Sequence, residues 1–153
     1  MSIIQTERLN IRLASNDEMR DIIAAQTDAE LKKAYGEMFD MCVKYPEDRK
    51  WYAAWFIESE TGKHIGNLCF KGLADGCVEM GYGILPEYWG NGYATEALKA
   101  TVDWALEQPE VNAVEAETDA NNFASQKVLE KAGFDPTGKI GEEGPRFVRR
   151  NNE

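Results

Sequence analysis

Residues 81–100, GYGILPEYWGNGYATEALKA, constrain the fold more than any other part of the chain. This segment begins as an alternating strand, passes through a turn that contains Gly90 and Gly92, and continues as a helix. Apolar residues recur at helical spacing from Tyr93 to Glu107, and Pro109 stops the run. Glycine lets the backbone approach a ligand closely, and the first N–H groups of a helix are unpaired donors. Such a unit favours binding of a phosphate or pyrophosphate.

Two nucleotide-binding motifs are excluded at this turn. A Walker loop requires a lysine followed by serine or threonine after its second glycine, and a dinucleotide fingerprint requires the spacing GxGxxG. Here Gly90 and Gly92 are followed by Thr95. By spacing alone the turn is also compatible with an ordinary helix start.

The strand before the turn, Cys77 to Leu85, alternates with period two. One face carries large side chains, namely Val78, Met80, Tyr82 and Ile84. The other face carries Glu79 followed by Gly81 and Gly83, which predicts a bare slot beside one carboxylate.

The rest of the chain predicts a single α/β domain over residues 1–153, with strands and helices interleaved. No repeat, low-complexity tract or linker divides it. The predicted strands are residues 3–13, Lys50–Glu58, His64–Lys71, Cys77–Leu85, Val111–Thr118 and two short strands around Ile140 and Phe147. The predicted helices are Asp17–Thr27 after an N-cap at Ser15 or Asn16, Asp28–Val43, Tyr93–Glu107 and Asn122–Ala132, with Gly62 in a hairpin turn and Gly133 as a C-cap.

Charge and cysteine usage narrow the class of protein. The 17 Lys and Arg residues against 27 Asp and Glu residues give a net charge of −10, which repels nucleic-acid phosphates and anionic lipid. Three cysteines (Cys42, Cys69 and Cys77) and the lone histidine, His64, lack metal-ligand spacing, so we expect reduced thiols, a cytoplasmic location and no metal. The start MSIIQTERLN lacks a leader pattern and no apolar run approaches ~18 residues, so we expect neither export nor membrane insertion.

Four segments in order, TERLNIRL, CVEMGYGILP, YWGNGYATEAL and ETDANNFASQKVLEKAGF, resemble the GNAT superfamily of acetyl-CoA-dependent N-acetyltransferases, in its RimJ/RimL-type (ribosomal-protein acetyltransferase-like) branch. The resemblance spans nearly the whole chain. It implies an α/β fold with a mixed, mostly antiparallel central sheet of about seven strands and about four flanking helices. It also implies acetyl transfer from acetyl-CoA to a primary amine by direct attack in a ternary complex.

The resemblance assigns a set of residues to acetyl-CoA. The family's pyrophosphate turn begins with Gln or Arg, and this chain has Trp89 there; the glycine and helix-terminus donors do not depend on that side chain. The backbone of Ile84 and Leu85 is expected to bond the pantetheine arm, and Asn122, in the pattern NxxS, to help hold it. The residues implied in binding the pyrophosphate are Trp89, Gly90, Asn91, Gly92, Tyr93, Ala94 and Thr95.

The resemblance also places a general base at Glu79, acting directly or through water. The other interpretation of Glu79 is a strand-surface carboxylate or the partner of an arginine. The thioester oxyanion is expected to meet backbone N–H groups near Leu85. Glu115 and Glu117 are either solvated or line the acceptor cleft, where they would favour a cation.

The general acid is less determined. Many relatives have a tyrosine where this chain has Leu129, which cannot donate a proton. The candidates are Ser125, which the resemblance suggests, then Tyr82, Tyr88 or solvent. Ser125 is also suited to capping the first turn of its helix.

Three functions remain open at this level. The first is N-acetylation of a protein or peptide N-terminus or of a small cationic amine such as a polyamine. The second is a non-catalytic acyl-CoA-binding or partner-binding module, and the third is a nucleotide-phosphate binder that uses the same turn. A homodimer through the last strands is compatible with the sequence, as is a charged edge strand at GPRFVRRNNE.

Overall fold

The computed structural model of the chain describes residues 3–151, which form one mixed sheet of eight strands with four α-helices. The strands are β1 (Ile3–Gln5), β2 (Leu9–Leu13), β3 (Ala54–Ser59), β4 (His64–Ala74), β5 (Cys77–Ile84), β6 (Ala113–Glu117), β7 (Asp135–Ile140) and β8 (Pro145–Arg150). The helices are α1 (Asn16–Ala25), α2 (Ala29–Lys44), α3 (Tyr93–Glu107) and α4 (Phe123–Lys131), and two 3-10 segments cover Pro46–Trp51 and Pro86–Tyr88.

The sheet has the order β1-β2-β3-β4-β5-β6-β8-β7, and β5 with β6 is its one parallel pair. These two strands pair from Cys77 to Met80, opposite Ala113 to Ala116. Beyond Met80, β5 continues to Ile84 alongside β4 but no longer pairs with β6. The separation opens a cleft in the middle of the sheet.

Helices cover both faces of the sheet. Helix α3 buries Ala97, Leu98 and Val102 in the main core, which also holds Trp55 of β3. Neighbouring residues of β3 point the other way, as period two requires. There Ala54 packs with Met19 of α1 in a second core that also includes Cys42 of α2.

Residues 3–13 form a hairpin of two strands, where the sequence predicted one. The chain reverses at Thr6, whose N–H donates to the Leu9 carbonyl oxygen at 2.9 Å. Ile4 and Leu9 are five residues apart, an odd spacing that a single strand with one buried face does not allow. This hairpin accounts for eight strands instead of about seven.

The predicted start of the next strand is also wrong. Residues Pro46–Trp51 form a 3-10 segment, and β3 begins at Ala54. Proline favours the first turn of a helix, and Trp51 is buried from that segment rather than from the strand. The sequence suggested a strand here because the segment is rich in aromatic residues. Trp51 is aromatic because its position is buried, not because the backbone there is extended.

The predicted helix signals are confirmed. Ser15 caps α1, with a reciprocal hydrogen bond between its backbone N–H and Glu18. Gly133 ends α4 with φ +93°, a conformation that favours glycine. Gly62 adopts φ +85° in the turn between β3 and β4. None of the helices formed by residues 3–151 is long and apolar enough to cross a bilayer.

Candidate active site

A cleft of about 640 Å³ lies where β5 separates from β6. The glycine turn and the start of α3 form one wall, and the start of α4 forms another. The lining includes most of the residues that the sequence assigned to acetyl-CoA or catalysis, namely Ile84, Trp89, Gly90, Gly92, Tyr93, Ala94, Thr95, Asn122 and Ser125. The other lining residues are Tyr82, Gly83, Tyr88, Ala124, Val128 and Lys131. Leu85, Asn91 and Glu79 lie outside this lining.

The turn presents backbone donors to the cleft. Gly90 and Gly92 adopt φ +79° and +78°, and Gly92 is the N-cap of α3 without a side-chain hydrogen bond from any described residue. The first N–H groups of α3 are therefore left for a ligand, at the positive end of the helix dipole. Asn91 does not line the cleft; its side-chain amide donates to the carbonyl oxygens of Tyr88 (3.0 Å) and Trp89 (3.3 Å) and so holds the turn.

Leu85 differs from its predicted role. Its N–H donates to the Ile65 carbonyl oxygen at 2.9 Å, so this amide is not available to a ligand or an oxyanion. The alternation of an antiparallel pair then directs the N–H and C=O of Ile84 away from β4, toward the cleft. The Ile84 carbonyl oxygen accepts a hydrogen bond from Trp89 Nε1 at 2.7 Å.

Two hydroxyl groups meet inside the cleft. The phenolic oxygen of Tyr82 lies 2.7 Å from Ser125 Oγ. Burial raises the pKa of Tyr82, so its phenol carries a proton at neutral pH. Asn122 is the N-cap of α4 and accepts from the Ser125 N–H at 3.1 Å. Asn122 thus supplies the cap, and the Ser125 hydroxyl faces Tyr82.

Leu129 lies in the main core and is fully buried. The structure therefore agrees that this position provides no proton donor. Trp51 and Trp55 are buried as well, and Trp104 packs against them as part of the main core.

A second cavity of about 440 Å³ lies on the opposite face of β4 and β5. It shares Tyr82, Gly83 and Ile84 with the first cleft, so the two cavities meet across the exposed stretch of β5. Its lining carries no Asp, Glu, Lys or Arg side chain. The residues that complete it are Tyr35 from α2, Ala54, His64, Gly66, Asn67, Leu68, Cys69, Gly81, Leu85 and Pro86.

Glu79 belongs to the face of β5 that carries Gly81 and Gly83, as predicted, but it is ion-paired. Its carboxylate lies 3.1 Å from Arg146 Nη2 and 3.2 Å from Lys71 Nζ. Gly83 lies four residue steps along the strand from Glu79, about 13 Å at ~3.3 Å per residue. Direct contact with a group bound beside Gly83 is therefore excluded, and a proton path from there to Glu79 requires water.

Arg146 of β8 joins three neighbouring strands. Besides Glu79 on β5, it lies 3.1 Å from Glu115 and 2.7 Å from Glu117 on β6. A backbone N–H from Glu143 and the Arg146 guanidinium lower the pKa of Glu117. Glu115 and Glu117 both pair with the Arg146 guanidinium, and neither lines either of the two cavities.

A groove of about 590 Å³ continues from the first cleft between β1, α3 and α4. The two share Gly92, Thr95 and Lys131, and the groove adds Lys99. Its acidic residues have cationic partners, Glu96 with Arg8 and Asp103 with Arg149. Within residues 3–151, Lys99 and Lys131 form no ion pair, so the groove presents two uncompensated positive charges.

The cysteines and acidic residues show no metal centre in the described chain. No group of three or more His, Cys, Asp or Glu side chains among residues 3–151 is placed to hold a metal ion. Cys42, Cys69 and Cys77 are not in disulfides. Burial raises the pKa of the Cys69 thiol, which keeps it protonated at neutral pH.

Sequence reasoning missed three residues of the second cavity. Tyr35 comes from a helix distant in sequence, and no local pattern links it to β5. His64 is the exposed first residue of β4, yet it lines the cavity. Asn67 lies on the predicted strand His64–Lys71, but its place opposite Gly83 depends on the β4–β5 register, which the sequence did not specify.

Comparison with known proteins identifies a matching protein family and solved structures with the same fold. Residues 5–135 match the family model described as an acetyltransferase (GNAT) domain. The uncharacterized N-acetyltransferase YoaA of Bacillus subtilis (strain 168) is 29% identical over 153 residues, covering 90% of this chain and 85% of that protein.

Two solved structures share the fold. The ribosomal-protein-S5-alanine acetyltransferase from Vibrio fischeri has a TM-score of 0.79 at 16% identity, covering 100% of this chain and 98% of that one. The spermidine/spermine N-acetyltransferase SpeG from Vibrio cholerae has a TM-score of 0.72 at 16% identity, covering 94% and 92%. With the family model matched over most of the chain, the protein belongs to the GNAT family and is an acetyl-CoA-dependent N-acetyltransferase.

Proposed function

We propose that the protein transfers an acetyl group from acetyl-CoA to a primary amine by direct attack in a ternary complex. The observation that carries this proposal is the meeting of two cavities at Tyr82, Gly83 and Ile84. A ternary mechanism needs two substrates bound at once with their reacting atoms adjacent. Cavities on opposite faces of one exposed strand provide that arrangement.

The first cleft fits acetyl-CoA, which supplies an activated thioester carbonyl. The N–H groups at the start of α3 suit the pyrophosphate, and Gly90 leaves space, because a Cβ there would meet nothing within 4 Å. Ile84 and Asn122 lie farther along the cleft, where the pantetheine arm is held. Lys99 and Lys131 suit the 3′-phosphate, since their charges are uncompensated in a chain of net charge −10.

The polar groups of the junction have separate roles in the proposed reaction. The Ile84 N–H replaces the predicted Leu85 amide as the donor to the thioester oxygen, because it faces the cleft. Ser125 donates a proton to the departing thiolate, and the Tyr82 hydroxyl, which orients Ser125, passes its proton to the Ser125 oxygen and is reprotonated from solvent.

Glu79 accepts the proton of the attacking amine through water. Arg146 and Lys71 hold its carboxylate in place on this face of β5. The distance along β5 requires a water chain between the attacking amine and this carboxylate.

The acceptor is a primary amine of a protein or peptide N-terminus or of a small cation such as a polyamine. A screen of amines in the presence of acetyl-CoA, with thiol release as the signal, tests the proposal. Release of CoA that depends on one of these amines supports it. Binding of acetyl-CoA without release to any amine would favour the non-catalytic acyl-CoA-binding module, the function that the buried Leu129 brings into consideration.

A further inference from the structure

We infer that Asn67 positions the acceptor and that the acceptor is a single primary amine on an uncharged framework, such as the α-amine of a peptide, rather than a polyamine. This inference rests on the proposed acetyl transfer and narrows its substrate class. It depends on the second cavity. The net charge of −10 suggests a site for cations, but no Asp, Glu, Lys or Arg among residues 3–151 lines this cavity.

Asn67 carries an unsatisfied polar atom. Its Oδ1 is buried and has no hydrogen-bond partner within residues 3–151. A buried acceptor without a donor is unfavourable, and native proteins rarely keep one without a reason. Asn67 lies in the lining of the second cavity, directly opposite Gly83 in the β4–β5 pair. Residues directly opposite in an antiparallel pair share a face, so a rotation of the Asn67 amide would turn Oδ1 toward an amine bound beside Gly83, which then supplies the missing N–H.

Gly66 and Gly83 lie beside Asn67, and packing requires glycine at only one of the two positions. At Gly66 a Cβ would come within 2.2 Å of the Gly83 carbonyl oxygen, so glycine there is required by packing. At Gly83 a Cβ would meet nothing within 4 Å, and the backbone is not in the left-handed region. Folding therefore does not require glycine at position 83. Its missing side chain keeps the floor of the cavity open beside the junction.

The charge of the lining selects among amines. A polyamine carries several ammonium groups, and each needs a carboxylate or other acceptor when it leaves water. No Asp or Glu among residues 3–151 lines the cavity. The nearest acidic side chain on this face of β5, Glu79, is already paired with Lys71 and Arg146. A net charge of −10 attracts cations over a distance but supplies no partner inside this cavity.

The test compares two acceptors, a lysine-free peptide with a free α-amine and spermidine, in steady-state assays of CoA release. For the natural protein we expect kcat/KM to be at least 10-fold higher with the peptide. Asn67→Ala should lower kcat/KM for the peptide roughly 10-fold or more, the loss of one hydrogen bond to a charged or reacting amine. Its Kd for acetyl-CoA should be unchanged.

A second pair of variants separates positioning from a structural role. Asn67→Asp keeps the shape and adds a carboxylate, so it should shift the ratio of the two kcat/KM values toward spermidine. Gly83→Val should block both acceptors and leave Tm unchanged. Gly36→Ala is the control, because its Cβ also meets nothing within 4 Å but Gly36 lies outside the cavity lining.

The outcomes distinguish the inference from the proposed function. Spermidine used as well as the peptide, or full activity of Asn67→Ala, would overturn the inference while acetyl transfer stands. If the protein binds acetyl-CoA but acetylates neither of the two amines nor any other amine in the wider screen, the proposed function is overturned and the inference with it.

Discussion

The phenolic oxygen of Tyr82 lies 2.7 Å from Ser125 Oγ, and this contact joins β5 to α4 across the cleft. Tyr82 lines both cavities, and Ser125 lines the cleft assigned to acetyl-CoA. The pair therefore stands where the departing thiolate and the attacking amine would both be within reach. It offers a proton donor in a chain whose usual donor position is the buried Leu129.

Replacing Ser125 by alanine should lower kcat about 10²-fold, the typical contribution of a positioned general acid. Tyr82→Phe should cause a smaller loss, since it leaves the Ser125 hydroxyl in place. Steady-state rates measured from pH 6 to 10 check this. Ser59→Ala, at the end of β3 and outside the cleft lining, is the control. A Ser125→Ala variant with full kcat at every pH would remove Ser125 from the role.

Glu79→Gln should lower kcat about 10²-fold and leave the Kd for acetyl-CoA unchanged, because only the acceptance of the amine proton is lost. Glu115→Gln is a matched control, since Glu115 lies at the same 3.1 Å distance from Arg146. We expect its kcat to stay near the natural value. Equal losses in the two variants would show that the ion-pair network is structural and that Glu79 is no base.

Lys131→Gln should weaken acetyl-CoA binding roughly 10-fold through loss of one charge-assisted contact to phosphate. The loss should vanish with acetyl-3′-dephospho-CoA, which lacks the group that Lys131 is proposed to bind. Lys127→Gln, one turn earlier on α4 and outside the groove lining, is the control. Calorimetric titration of the variants with both ligands measures these differences. An equal loss with the two ligands would contradict the assignment.

Local sequence rules predicted the elements that carry the acetyl-CoA cleft. Pro109, Gly133 and the apolar spacing of α3 act within a few residues, and period two placed Glu79, Gly81 and Gly83 on one face of β5. The hairpin of residues 3–13 was missed although the odd spacing of Ile4 and Leu9 is a local signal for it, and its reversal is also held by a hydrogen bond from Thr6 to Glu96, 90 residues away in sequence. No local propensity records such a partner.

The same distinction applies to the site. Residues of the glycine turn follow one another in sequence, so a motif found them. Arg146 reaches Glu79 across 67 residues, and Tyr35 reaches the second cavity from α2, so pairing of strands and packing of layers decide those contacts. The free amide at the junction shifted from Leu85 to Ile84 because strand register, which the sequence leaves open by one residue, decides which N–H groups are paired.

Acid should remove a specific part of the stability. Arg12 donates two hydrogen bonds to Glu18, each 2.8 Å, and lowers the pKa of Glu18 from 4.5 to about 2. Because the folded pKa is the lower one, this stabilisation is complete above about pH 4.5 and is lost as the pH falls to about 2. Glu18→Gln should reduce the free energy of unfolding by about 1 to 2 kcal/mol at pH 7 and by nearly nothing at pH 2.

Urea unfolding at several pH values measures this difference. Asp17→Asn is the control, because the Asp17 side chain is 91% exposed and its pairing with Arg20 should contribute little. A gap between the natural protein and Glu18→Gln that stays constant with pH would contradict the assignment of that pKa.

The most direct test of the central claim is calorimetric titration of the purified protein with acetyl-CoA, with ATP and NAD as controls. We predict micromolar binding of acetyl-CoA alone, abolished by Gly92→Val, which fills the turn at a φ of +78° that valine does not tolerate. Gly62→Val places the same strain at φ +85° away from the cleft and should retain binding. Absence of acetyl-CoA binding, or binding of ATP that acetyl-CoA does not displace, would contradict the account.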